Sequence, residues 1–144
     1  VFPTPPGKAL FTVNPIAEHA LEPGQLLMTT VRSHDQFNTT IYGLHDRYRG
    51  LHFERRVVMM NREDMDEQGL SPRQVVDVTS HFNGQTRTAA GFRVVEYPIP
   101  RQCAAMYYPE ANVLVPIGDT EPLSNIPAYK SVVISLRPVV PAAA

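Results

Sequence analysis

Several residue types and patterns are scarce in this sequence, and each scarcity narrows the possible functions. The 144 residues include a single cysteine, Cys103. One thiol cannot form an internal disulfide, and it cannot supply the four thiolates that usually hold an iron–sulfur cluster. A lone cysteine fits a reducing compartment, and we therefore expect a cytoplasmic protein.

Charged residues and long apolar runs are also scarce. Charged residues make up 19% of the chain, and the formal net charge is −1. This balance gives no electrostatic reason to expect nucleic acid or an anionic membrane as a partner. No apolar run approaches the ~20 residues of a membrane span, and no signal-peptide pattern is visible. The chain begins with Val rather than Met, so we expect it to be part of a longer protein.

What the chain does contain favours a β domain. Its 14 prolines disfavour long helices, and its many Val, Ile, Thr, Tyr and Phe residues favour strands. We interpret residues 1–24, which carry five prolines, as an irregular lead-in. Residues 25–137 then form one barrel domain, and residues 138–144 form a loose tail.

Apolar runs bounded by turn residues predict the strands of this barrel. They lie at residues 25–31, 55–60, 74–80, 86–97 with a bend at Gly91, 113–115 and 130–136, and residues 11–13 could add a short one. Asn61 is placed to cap a helix over residues 62–68, Asn83-Gly84 is a hairpin turn, and residues 102–107 suit one helical turn. About six strands with short helices and no βαβ alternation predict a closed, mainly β barrel with its functional groups in loops at one end.

The first polar segment with possible function covers residues 29–40, where a predicted strand ends. Arg32 offers a planar fork for phosphate oxygens, and the Thr and Ser hydroxyls add neutral donors. Asp35 and Gln36 could read the edge of a base or pterin through paired hydrogen bonds. The structural alternative is a polar surface loop with an Asx-type turn, and composition alone favours that alternative.

A second candidate group follows later in the chain, at residues 107–112 and 127–130. Its tyrosines could flank a planar ring, Asn112 could contact a heterocycle, and Lys130 could pair with a phosphate. The structural alternative is turn chemistry next to an edge strand.

Other polar patterns in the sequence are weaker indications of a functional site. His34-Asp35 and His45-Asp46 lack the further ligands of a metal phosphohydrolase, and the spacing of His34, His45 and His52 fits no common metal site. We interpret Cys103 as a packed thiol. The arginines at 47, 49, 55 and 56 are interpreted as a solvated face or a contact to other domains.

The order and spacing of these segments resemble the molybdopterin dinucleotide-binding domain at the C-terminus of formate-dehydrogenase-like oxidoreductases. The resemblance covers about residues 26–136. It rests on Thr29-Thr30-Val31-Arg32, Gln36-Phe37-Asn38, the Asn61 to Gly69 helix, Pro100-Arg101, and Asn112 followed by Pro127-Ala128-Tyr129-Lys130. Where many relatives have glycine between Thr and Arg, this chain has Val31.

The resemblance implies a double-psi β-barrel that binds molybdopterin guanine dinucleotide, with molybdenum or tungsten as the metal. It implies that any iron–sulfur cluster and the protein ligand of the metal lie in other domains of the parent oxidoreductase, which are the expected partners. The isolated domain is then not expected to be catalytic. The implied cofactor-binding residues are Thr30, Arg32, Gln36, Asn38, Thr39, Asn112, Tyr129 and Lys130.

Two alternatives belong to other functional classes. One is a stand-alone enzyme with the same barrel, similar to aspartate decarboxylase, which cleaves itself at a Gly-Ser bond. The chain contains no Gly-Ser pair, which closes that route. The other is an interaction domain without a cofactor.

Overall fold

The computed structural model describes residues 2–16 and 18–140. Within them, eight strands are interrupted by one short α-helix and one 3₁₀ helix, Asn112–Leu114. The strands are β1 (Gln25–Val31), β2 (His45–Asp46), β3 (Leu51–His52), β4 (Val57–Met60), β5 (Val75–Phe82), β6 (Gln85–Glu96), β7 (Cys103–Tyr107) and β8 (Val132–Pro138), and the helix α1 is Arg62–Glu67.

Six of these strands form a closed barrel in the order β1-β7-β4-β6-β5-β8, with β8 pairing back onto β1. The pairs β1–β7 and β4–β6 are parallel, and the remaining pairs are antiparallel. The predicted mainly β barrel of about six strands is confirmed. Strands β2 and β3 form a separate two-stranded ribbon outside the barrel.

The barrel interior is filled by apolar side chains that alternate along the strands. In β1, Leu26 and Met28 are buried while their neighbours are half-buried, and Thr30 takes the third inward position. Facing strands contribute further fully buried residues, among them Val58, Met60, Val76, Val78, Phe92, Val94, Met106 and Ile134. A strand period of two in the sequence therefore produces a packed core rather than a pore.

Strands β4 and β7 are buried on both faces. Their outward side chains, including Val57, Met59 and Tyr107, form a second apolar cluster with Leu51 of β3. The polar segment between β1 and β4, residues 32–56, thus folds back over the outside of the barrel and is called the excursion below. This explains why both short strands are continuous apolar runs without alternation.

Local signals determine the helix and the longest hairpin. The side chain of Asn61 accepts a hydrogen bond of 2.8 Å from the backbone N–H of Glu63, which caps α1 as predicted. Asn83 and Gly84 both have positive φ, 47° and 75°, and join β5 to β6 as the expected tight turn. The register of β5 against β6 shifts between Val76 and Val78, opposite the predicted bend at Gly91.

Three predicted elements are wrong. Residues 102–107, predicted as a helical turn, contain strand β7, and residues 113–115, predicted as a strand, overlap the 3₁₀ helix. Residues 11–13 form no strand. For residues 102–107 the neighbouring strands decide the conformation, because β7 pairs with β1 and β4 on its two sides.

The chain ends can be compared with the sequence prediction only in part. The predicted lead-in, 1–24, and tail, 138–144, include residues 1, 17 and 141–144, which lie outside the described residues. The described part of the lead-in contains neither helix nor strand. Among the residues with a described conformation, no helix has the length and apolar character needed to cross a membrane.

Candidate functional site

A cavity of about 500 Å³ opens at the end of the barrel where β1 and β7 finish and β8 begins. Because β7 runs parallel to β1 and β8 runs antiparallel to it, the loops that follow or precede these strands meet there. The cavity is lined by Thr30, Val31, Arg32, Tyr108, Asn112, Pro127, Tyr129 and Lys130. Five of the eight residues predicted from the sequence are in this lining.

The end of β1 is tied directly to the segment that precedes β8. The backbone N–H of Thr30 donates to the carbonyl oxygen of Tyr129 at 3.1 Å, and the ammonium of Lys130 donates to the carbonyl oxygen of Thr30. The side chain of Thr30 is buried at the inner end of the cavity. Residues 100 positions apart therefore lie on one rim.

Two cations on this rim have no acidic partner among the residues that the structure describes. Across residues 2–16 and 18–140, neither Arg32 nor Lys130 has a carboxylate oxygen within 4.0 Å. Burial lowers the pKa of Lys130, and the nearby charge of Arg32 lowers it further. Arg32 makes one long hydrogen bond, 3.5 Å, to Asn38 Oδ1. Two neighbouring positive charges without a carboxylate fit an anionic ligand, such as a phosphate or diphosphate group.

The other predicted residues occupy different positions. Asn38 is exposed with φ 51° and faces Arg32, and Asn112 is exposed on the 3₁₀ helix at the cavity edge. Thr39 is half-buried in the turn closed by the bridge between Phe37 and Ile41, away from the cavity lining.

The side chain of Gln36 is occupied by protein groups. Its Nε2 donates to the carbonyl oxygens of Tyr108 at 2.6 Å and Asn38 at 2.8 Å. Its Oε1 accepts from the Ser33 backbone N–H at 3.0 Å and from Arg55 at 3.1 Å. Gln36 belongs to the segment after β1. Its amide is hydrogen-bonded both within this segment and to the segment after β7.

Arg55 is the largest departure from the sequence interpretation. The sequence interpretation was a solvated face or a contact to other domains, but the Arg55 side chain is only 5% exposed and forms an ion pair with Glu110 of the same chain at 2.6 Å. Its guanidinium also donates to Ser33 Oγ at 2.6 Å and to the carbonyl oxygen of Tyr108 at 2.9 Å, and it lies 3.9 Å from the centre of the Tyr42 ring. No local pattern indicated this residue, since Glu110 lies 55 positions away.

A second buried polar group anchors the excursion over β7. The hydroxyl of Tyr107 donates to Asp46 Oδ2 at 2.7 Å, and Arg49 Nη1 donates to the same oxygen at 2.5 Å. Burial raises the pKa of Asp46, but the hydrogen bonds from Tyr107 and Arg49, together with the Arg49 charge, outweigh it and lower the pKa overall. Burial, and then the Asp46 carboxylate, raise the pKa of Tyr107, which therefore stays protonated as a donor. Arg49 also donates to the carbonyl oxygen of Arg32 at 3.2 Å, which links this group to the cavity rim.

The histidines of the excursion do not converge. His45 and His52 face each other across β2 and β3 with their Nδ1 atoms 3.0 Å apart, whereas His34 packs against the Tyr48 ring. In the described part of the chain, no group of three or more His, Cys, Asp or Glu side chains is arranged to hold a metal ion.

A closed β-barrel with a polar, cationic cavity among its end loops defines a small binding domain. Residues 26–133 match the family described as the molydopterin dinucleotide binding domain, and the chain belongs to this family of molybdopterin-binding domains. The family inferred from the sequence is confirmed, and the matched range contains every residue of the cavity lining.

Curated relatives are much longer than this chain. It is 46% identical to an uncharacterized oxidoreductase of Mycobacterium tuberculosis over 142 residues, which are 95% of this chain and 18% of the relative. It is 38% identical to Protein YdeP of Escherichia coli over 141 residues, 94% of this chain and 19% of that protein. The chain therefore spans less than a fifth of the length of these relatives.

Proposed function

We propose that this chain is the C-terminal domain of a formate-dehydrogenase-like molybdenum oxidoreductase and that its cavity holds part of a molybdopterin guanine dinucleotide. The observation that carries the proposal is the pair of cations, Arg32 and Lys130, which face one cavity without an acidic partner in the described chain. A dinucleotide brings a diphosphate, a planar base and ribose hydroxyls. The family membership and the name of the mycobacterial relative agree with an oxidoreductase context.

The residues present fit such a ligand in charge and in chemistry. Arg32 and Lys130 would hold the phosphates, and the Thr30 hydroxyl and the Asn112 amide would add neutral hydrogen bonds. Tyr129, which is 36% exposed at the rim, would cover a planar ring. Asn38 would orient Arg32, with which it already shares a hydrogen bond.

Gln36 and Thr39 complete the proposed set from the loop that carries Asn38. Both are half-buried, and the Gln36 amide already has protein partners on Oε1 and Nε2, so these two residues would contribute through the position of the loop. The domain would thus bind and orient its ligand with groups from three separate chain segments.

The bound cofactor would supply the redox-active metal centre, and this chain would bind and orient it. Arg32 and Lys130 would neutralise phosphate charge at the end of the barrel. The metal ligand, any iron–sulfur cluster and the substrate pocket would belong to the remaining domains of the parent enzyme. The isolated domain would then bind without catalysing a reaction, and the parent would act in the cytoplasm.

The direct test removes one cation from the full-length protein. Arg32→Ala deletes a charged donor to phosphate, and a hydrogen bond to a charged group contributes about 1.5–3 kcal/mol, so retention of the cofactor should fall about tenfold or more. Metal content by mass spectrometry and nucleotide released on denaturation measure the effect. Arg137→Ala is the matched control. Arg137 is an exposed arginine near the last residue of β8, and the cavity lies at the opposite end of the barrel, where β8 begins.

The finer parts of the proposal have separate readouts. Release of GMP, rather than CMP, supports the guanine form, and metal analysis separates molybdenum from tungsten. Reduction of an artificial acceptor with formate supports a formate-dehydrogenase-like substrate. A full-length protein that contains neither pterin nor metal would refute the binding proposal, and equal retention in Arg32→Ala and Arg137→Ala would refute the role of Arg32.

A further inference from the structure

A buried ion pair lies beside the cavity without being part of its lining. Arg55, just before β4, and Glu110, after β7, are joined by two hydrogen bonds, from Nε to Oε1 at 2.6 Å and from Nη2 to Oε2 at 3.1 Å. The side chains are 5% and 15% exposed. Such a two-point contact fixes the orientation of both side chains as well as their separation.

The same guanidinium also contacts the two loops that border the cavity. From the loop after β1 it binds Ser33 Oγ and Gln36 Oε1, and from the loop after β7 it binds the carbonyl oxygen of Tyr108. Gln36 repeats this link, since its Nε2 donates to the same carbonyl oxygen of Tyr108. Arg55 therefore holds two cavity-bordering loops to one another through a shared set of acceptors.

We propose that Arg55, acting with Glu110 and Gln36, is the positioning residue of the cavity: it fixes the loop that carries Arg32 and Asn38 against the loop that carries Tyr108. This inference rests on the proposed function for what the cavity binds. It assigns opposite roles to two arginines of one site. Arg32 is exposed and has no carboxylate partner in the described chain, whereas Arg55 is buried and neutralised.

The burial of Arg55 and its ion pair with Glu110 argue against a direct phosphate contact for this residue. Its Nε, Nη1 and Nη2 atoms donate to five protein acceptors, and the Glu110 carboxylate balances its charge. These contacts use Nε, both N–H groups of Nη2 and one N–H group of Nη1, so at most one N–H group of the guanidinium is left for a further acceptor. By the same reasoning the Gln36 amide, with partners on both Oε1 and Nε2, positions the loop and does not read the ligand edge.

The test compares Arg55→Lys with Arg137→Lys in the full-length protein. Lysine keeps the positive charge at residue 55 but lacks the fork that reaches the loop after β1, Glu110 and Tyr108 together. Loss of these charge-assisted hydrogen bonds should raise amide hydrogen exchange in residues 32–38 and 107–111 about tenfold or more. In Arg55→Lys, amide exchange in β5 should stay unchanged. The same variant should lose the cofactor faster than the wild type during gel filtration. Arg137→Lys should behave as the wild type.

A second variant, Gln36→Ala, tests the proposal if Arg55→Lys does not fold. It removes the link from Gln36 to Arg55 and Tyr108 and keeps the Arg55–Glu110 pair. Faster exchange of the same two segments in cofactor-free protein supports positioning, because no ligand is then present to be read. Unchanged exchange in the two loops overturns the proposal, and so does faster exchange with normal cofactor retention. A wild-type protein without cofactor refutes the proposed function instead, and the exchange data still decide whether Arg55 fixes the loops.

Discussion

Replacing Tyr107 by Phe tests whether the polar contact under the excursion stabilises the domain. The Tyr107 ring is fully buried on the outer face of β7, and its hydroxyl donates to Asp46 Oδ2 at 2.7 Å. Phenylalanine keeps the ring and its packing and removes only this hydroxyl. Asp46 retains Arg49 Nη1 at 2.5 Å and the backbone N–H groups of Tyr48 and Arg49 at 3.2 and 3.3 Å.

The expected loss follows from these remaining donors. A hydrogen bond to a charged acceptor contributes about 1.5–3 kcal/mol, and the retained donors place Tyr107→Phe at the lower end, about 1.5 kcal/mol. For a domain of this size that is a fall in melting temperature of about 5 °C. Urea unfolding of the 144-residue chain measures it. The control is Tyr48→Phe, since Tyr48 is 73% exposed and should change stability by less than about 0.5 kcal/mol.

The same variant has a predicted pH dependence. The net shift lowers the pKa of Asp46 in the folded chain, because contacts including the Tyr107 hydrogen bond outweigh the effect of burial. A lowered folded-state pKa stabilises the fold above the unfolded-state pKa, and this stabilisation is lost as pH falls through the folded value. The difference between wild type and Tyr107→Phe should be complete at neutral pH and should shrink below about pH 4. Equal stability at neutral pH, or a difference that does not shrink in acid, would refute the reasoning.

Three further predictions concern single contacts. Asn61→Ala removes the cap of α1 and also the 2.7 Å hydrogen bond from Asn61 Nδ2 to the carbonyl oxygen of Ile99, and it should cost about 1–2 kcal/mol in urea unfolding. Asn61→Asp keeps the cap acceptor but sets a carboxylate oxygen against the Ile99 carbonyl oxygen, so it should recover only part of this loss. Gly91→Ala places a side chain at φ +73° and should destabilise by about 1 kcal/mol despite the open space there, whereas Gly118→Ala, at a glycine with equally open space and no positive φ, should not. Burial and then Arg32 lower the pKa of free Lys130, and a bound phosphate would raise it. Cofactor retention should therefore be constant below the free-state pKa and fall as pH rises through it towards the bound value, and Lys130→Met should flatten this profile.

The parts of the fold that the sequence predicted are those with local causes. Strand β1 was predicted with its bounds, because the turn at Pro23-Gly24 sets its start and apolar and then β-branched residues continue to Val31. The helix cap at Asn61 and the turn at Asn83-Gly84 depend on side-chain and backbone chemistry within a few residues. Such signals survive folding because the tertiary contacts of the barrel agree with them.

The wrong predictions have tertiary causes. Ala104, Ala105 and Met106 favour a helix in isolation, but pairing with β1 on one side and β4 on the other holds them in a strand buried on both faces. Arg55 looked like a solvent-facing cation because its partner, Glu110, is remote in sequence. That the two polar groups would lie close together was expected only from the resemblance to a known barrel family, because no local pattern in the sequence connects them.

The location of the site follows from strand direction more than from any single residue. Because β1 and β7 are parallel, the loops after them emerge side by side, which brings Arg32 next to Tyr108. Strands β4 and β8 are antiparallel to this pair, so their starting ends lie at the same rim and deliver Arg55 and Lys130. A site built this way depends on all four strands being paired, and a variant that loosens β7 should impair the cavity before it unfolds the hairpin of β5 and β6. Lys130 and Arg55 thus reach the same rim from the two strands, β8 and β4, that flank the parallel pair on opposite sides.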